Sequence, residues 1–128
     1  MAVTIKPTLS LSSSNTTGNA VSFSVTSTIT LGDNDIRSNR KFVVPDHSGA
    51  GGVKLIDTGV GKSYVFVKNT HPTVTVHLAG TATYQQNNAL FILAPGEFTW
   101  FPFTGVNILY AIASPGATGE VEAMIFEA

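Results

Sequence analysis

The segment LAPGEFTWFPFTG (residues 93–105) places Phe98, Trp100, Phe101 and Phe103 within six residues of a chain whose aromatic content is only 9%. APGE carries the Pro-Gly pair of a tight turn, and the residues after it read as a β-strand. Side chains alternate across a strand, so Phe98 and Trp100 share one face while Phe101 and Phe103 share the other. Large aromatics on both faces demand cover on both, which is the requirement of a layered β-fold. One pair is expected to enter a core and the other to meet a neighbouring subunit, so all four are candidate interface residues. Pro102 offers no N–H to a ladder, and the strand is expected to end there or soon after.

The same period of two recurs outward from this strand. Val3, Ile5, Leu9 and Leu11 alternate on odd positions, as do Val21, Phe23, Val25, Ile29 and Leu31. Between them SSSNTTGNA (residues 12–20) is built of turn-forming residues, so a hairpin or a pair of edge strands is expected, with Pro7 at an edge or splitting the first strand. RSNRK (37–41) reads as a polar crossing before a short strand at 41–44. SYVFVKN (63–69) is apolar on both faces and therefore central in its sheet. Further strands are expected at 53–56, 73–78, 89–93, 98–103, 106–113 and 120–126. The turn signals that separate them, GDND, PDHSGAGG, DTGVGK, HP, NN, APGE, TG and SPGATG, recur at the spacing of about 8 to 12 residues that suits a sandwich.

No stretch carries an apolar helical repeat over three turns, and β-branched residues dominate. The expected fold is all-β, an antiparallel β-sandwich or jelly-roll-like arrangement of about eight or nine short strands with little helix. A length of 128 residues fits a single domain spanning 1–128, with 1–20 as an edge strand or an arm.

Charged residues are only 12% of the chain, against about 25% in an ordinary soluble domain. All seven basic residues lie in the first 68 positions, and the remainder carries only Glu97, Glu120, Glu122 and Glu127. A surface so poor in mixed charge implies that much of the C-terminal half is core or is covered by neighbouring subunits. A net charge of −1 gives no pull toward polyanions, and no nucleic-acid partner is expected. Arg37, Arg40 and Lys41 form a short basic cluster, a candidate contact for an acidic partner surface or else a solvated loop. The first residues lack a long apolar core, and no apolar run reaches the roughly 20 residues of a membrane span, so a protein made in a cytoplasm and without a membrane partner is expected.

Residues with reactive chemistry do not assemble into a recognisable site. There is no cysteine, hence no disulfide, thiolate nucleophile or cysteine metal site. His47, His71 and His77 include no HxH pair, so the metal-binding pattern of cupin jelly rolls is missing and loop or strand-surface histidines are expected. Asp33 and Asp35 lack the closing glutamate of a calcium loop and suit an Asx turn. GVGKS has glycines too close together for a phosphate-binding loop and precedes a strand instead of a helix, while Ser48 and Ser63 lack a G-x-S-x-G setting. No catalytic residue, metal or cofactor is expected, and the chain reads as non-enzymatic.

The succession YVFVKNT (64–70), LAPGEFTWFPF (93–103), ILYAIAS (108–114) and VEAMIFEA (121–128) resembles small β-rich virion proteins of tailed bacteriophages, among them head decoration or cement proteins. The likeness covers about the last half of the chain. It implies a capsid decoration protein that binds a major capsid protein, assembles in the bacterial host cytoplasm into the virion, and acts as a homo-oligomer, a homotrimer being the expected form. A neck, tail or fibre component is the alternative within that class. A carbohydrate-binding sandwich for host attachment is the alternative outside it, with Trp100 and the tyrosines as stacking groups and QQNN (85–88) for sugar hydroxyls.

Overall fold

The computed structural model describes residues 4–13, 21–31, 36–46, 51–56, 62–80, 89–104 and 108–127, and of 36–39 it describes the backbone. Among these residues there are twelve strands and no helix. Eight of the strands are β5 (Ile36–Val44), β6 (Val53–Ile56), β7 (Ser63–Asn69), β8 (Val76–Ala79), β9 (Phe91–Leu93), β10 (Phe98–Phe103), β11 (Leu109–Ala113) and β12 (Gly119–Glu127). They form two four-stranded antiparallel sheets ordered β10-β7-β12-β5 and β6-β11-β8-β9. Every link between consecutive strands crosses from one sheet to the other except β8 to β9, and the first of the eight pairs with the last. That is the connectivity of a jelly roll.

Alternation decides what lies between the sheets. Val65, Val67, Val121, Ala123 and Ile125 point inward from β7 and β12, and Val76, Leu78, Leu109, Ala111 and Ala113 meet them from β8 and β11. SYVFVKN sits between β10 and β12, the central place its two apolar faces imply. The opposite face of β8 and β11 is also closed, since Ile112 and its cross-strand neighbour His77 are both buried. The backbone just before β6 comes close against β11, and a Cβ on Gly52 would stand 2.6 Å from Ile112 Cγ1 and 2.8 Å from the Ala111 carbonyl oxygen. Only glycine fits there.

Two corners are held by one buried amide. Asn69, at the end of β7, is fully buried, and its Nδ2 donates to the carbonyls of Val74 (2.7 Å) and Leu93 (2.9 Å) while its Oδ1 accepts the His71 N–H (3.0 Å). Its own N–H donates to the Glu97 carbonyl and its carbonyl accepts from Gly96. The β7–β8 connection is thereby fixed to the turn that launches β10. In that turn the Glu97 N–H donates to the Ala94 carbonyl (3.0 Å), with Pro95 and a positive-φ Gly96 at the central positions of a type II turn.

The remaining four strands lie outside the sandwich. β1 (Thr4–Ile5) pairs with β4 (Ile29–Thr30), and β2 (Thr8–Ser12) pairs with β3 (Ser22–Thr26) as a separate two-stranded ribbon. Pro7 falls between β1 and β2, splitting the first strand as its missing N–H implies. The total therefore exceeds the expected eight or nine. The sandwich itself holds eight, and the excess is the N-terminal arm, whose period of two is indistinguishable from that of the body.

RSNRK is not a crossing. It belongs to β5, which runs nine residues along β12. β5 is an edge strand, and an edge tolerates charged and amide side chains that a central strand would not. The strand expected at 73–78 starts later, at Val76, because the Asn69 and His71 bonds hold the preceding residues in a turn. The turn signals GDND and NN, with Gly105 of TG, half of PDHSGAGG and all of DTGVGK but Lys62, lie outside the described residues.

Candidate assembly surface

On β10 the two aromatic pairs separate. Phe101 and Phe103 pack against the core, with Phe91 4.8 Å from Phe101 between ring centroids. Phe98 and Trp100 face outward, opposite Lys68 and Phe66 of β7. Phe98 is 56% exposed. Trp100 is half-buried between two rings, stacked with Tyr64 at 6.1 Å and 11° and tilted against Phe126 at 5.9 Å. Phe66 joins Phe98 at 6.0 Å. The outer face of this sheet thus carries a continuous aromatic band of Tyr64, Phe66, Phe98, Trp100 and Phe126 with Met124 beside Phe66. Contributions from β7 and β12 extend the four residues singled out in the sequence. Their signal was present in SYVFVKN, where a strand apolar on both faces already required cover outside the core.

The arm meets the sandwich on this face. Ile29 and Leu31 are buried, yet neither belongs to the cluster between the sheets. Beside them, Pro7, Thr8, Leu9, Val25 and Ser27 share with Phe66, Phe98, Thr99 and Trp100 the lining of a cavity of about 690 Å³. Beyond this base, both faces of the β2–β3 ribbon are exposed along its whole length. One face is polar, with Thr8 and Thr26 hydroxyls 2.8 Å apart and Ser10 donating to Ser24 at 3.4 Å. The other is apolar, with Leu9 opposite Val25 and Leu11 opposite Phe23.

Within the basic cluster, Arg40 and Lys41 point to opposite faces of β5. Consecutive strand residues diverge, so Arg40 lays its guanidinium 4.3 Å over the Phe42 ring while Lys41, on the other face, pairs with Glu120 at 3.5 Å. Lys41 remains largely exposed, and such a pair contributes little stability. The Glu120 carboxyl is held below its ordinary range, first by the Thr70 hydroxyl that donates to it at 2.7 Å and then by Lys41. The Arg37 side chain lies outside the described residues, as do Asp33, Asp35, His47, Ser48 and QQNN.

Of the histidines, His71 serves its own turn, its Nδ1 accepting the N–H groups of Thr73 (3.2 Å) and Val74 (3.0 Å). His77 departs from the expected surface position. It is buried on β8 with Nε2 3.4 Å from the Ser114 hydroxyl, and burial lowers its pKa. Its strand lies between β11 and β9, and its cross-strand neighbour Ile112 is buried with it. Among the described residues no three His, Asp or Glu side chains converge as metal ligands would. No protein-family model matches the chain and no curated relative is found for it, so the likeness to phage virion proteins rests on the residues quoted for it.

Proposed function

We propose that this chain is a non-enzymatic structural protein that works as a homo-oligomer within an assembled particle, specifically as a decoration protein of a phage head. The observation that carries the reading is the apolar face of the ribbon standing beside the outward Phe98 and Trp100. Apolar surface gathered in one place on a small chain is the mark of a protein contact. The low charge content favours the same role, because hydroxyl and amide surfaces are desolvated at far smaller cost than ionised ones. The resemblance of the last half of the chain selects the particle, with a major capsid protein as the second partner and a trimer as the subunit number. Jelly rolls serve in viral coats and in lectins alike, so fold alone does not choose between them. Against the lectin reading, Trp100 is already packed beside Tyr64 and Phe126.

Sedimentation at high concentration, followed by binding to capsid shells that lack the protein, tests this directly. An oligomer that binds the shells is expected. A monomer that ignores them overturns the reading, labelling confined to tails moves it to a tail component, and glycan binding lost on Trp100→Ala replaces it with host attachment.

A further inference from the structure

A two-stranded ribbon alone is at best marginally stable in water, and stability requires a third surface against its apolar face. Here Leu9, Leu11, Phe23 and Val25 are each 42–51% exposed. What covers them is constrained by charge. From Pro7 to Gly32 the chain contains no ionisable residue, so the ribbon has nothing with which to pair a charged partner surface, and a charged surface would lose its hydration there without compensation. The cavity at the ribbon's base has the same character, lined by Pro7, Leu9, Val25, Phe66, Phe98 and Trp100 with Thr8, Ser27 and Thr99 and no ionisable residue. The distal pair, Leu11 and Phe23, stands about 7 Å further along the strands from the Leu9–Val25 pair that forms this cavity's wall. A ribbon cannot fold its own end back into its own base.

We propose that Leu11 and Phe23 of one copy insert into the cavity between ribbon and sheet of a second copy, where they pack on Phe66, Phe98 and Trp100. The size of the contact favours a copy of this chain over a foreign partner. A stable interface buries about 800 Å² on each side and engages roughly 20 to 30 residues. Two five-residue strands and a few wall residues fall short of that in a single insertion. A copy of this chain brings both an inserting end and a receiving cavity, so each molecule takes part in two insertions, reciprocal in a pair or onward around a ring. The proposal rests on the homo-oligomer reading and assigns it an interface.

The absence of native cysteine makes the test direct. Phe23→Cys and Phe98→Cys chains are purified separately, mixed and oxidised. A covalent dimer much more abundant in the mixture than in either chain alone is expected, and equal yields overturn the insertion. In parallel, Leu11→Ser with Phe23→Ser is expected to weaken self-association by on the order of a hundredfold in sedimentation equilibrium, with the sandwich's unfolding transition retained. An oligomer unchanged by that double substitution and not cross-linked overturns the insertion while leaving the homo-oligomer standing. A wild-type chain that stays monomeric overturns both.

Discussion

Strands β3 and β7 each carry a row of apolar residues at alternate positions, and the two rows meet opposite fates. Val65 and Val67 of β7 are fully enclosed, whereas Phe23 and Val25 of β3 remain about half exposed. The inward row of β7 and the apolar row of β3 are alike, but β7 lies between two neighbours in a sheet with a second sheet behind it, while β3 has one neighbour and no second sheet behind it among the described residues. A period of two records that a face is meant to be covered, without recording by what. In the body the cover is the opposite sheet. In the arm, no second sheet supplies it among the described residues.

Substitutions that remove the same chemistry from the two regions should give very different losses. Leu78→Ala, at the centre of the inter-sheet core, should cost about 3 kcal/mol by lost transfer energy and the cavity left behind, read as a shift in the urea midpoint. A shift no larger than that of a surface residue would mean the sandwich core is not where β8 places it.

Next comes the corner that makes the body rigid. Asn69→Ala strips the Val74 and Leu93 carbonyls of their donor and the His71 N–H of its acceptor, and should cost about 2 kcal/mol or more. Hydrogen exchange should show the loss first in the β7–β8 and β9–β10 connections; protection lost evenly across the molecule would contradict that local role. Gly96→Ala, which forces a Cβ into a φ of 83°, should cost about 1 kcal/mol in thermal unfolding, with no clash to add because nothing lies within 4 Å of the new atom.

A smaller effect should appear with pH. Burial holds the His77 imidazole below its ordinary 6.5, so the unfolded chain takes up the proton more readily than the folded one. The stability gained by keeping it neutral is therefore present above pH 6.5 and is lost as pH falls toward the folded value. Urea midpoints measured at pH 7.5 and 5.5 should diverge in the wild type and converge in His77→Gln; an unchanged difference would place the titration elsewhere. At the far end of the scale, Leu11→Ala in dilute, unassociated chain should change stability by less than about 0.5 kcal/mol, since its side chain has little folded environment to lose.

Turns and central strands were readable because their causes are local. Pro95 and Gly96 announce a type II turn by their own φ preferences, and SYVFVKN announces a central strand by apolar residues on both faces. RSNRK misled because a strand was expected to look apolar, and an edge strand need not. His77 misled for the converse reason: it sits on a strand paired on both sides, with a buried Ile112 as its cross-strand neighbour more than thirty residues later in the chain. The Phe98, Trp100, Phe101 and Phe103 set was visible as two opposed pairs, but strand parity is symmetric, and no local feature says which pair faces inward.

Composition and alternation by themselves determined that this chain is all-β, short-stranded and poor in charge, because each residue carries its rotamer, turn and hydration preferences wherever it sits. Only the tertiary structure decided that eight strands close into a jelly roll while four stand apart, that Phe101 and Phe103 turn inward, and that Phe98 and Trp100 border a cavity with the arm. Those outcomes depend on which strands pair across long stretches of chain, and pairing is settled by the summed burial of two sheets rather than by any residue's own preference.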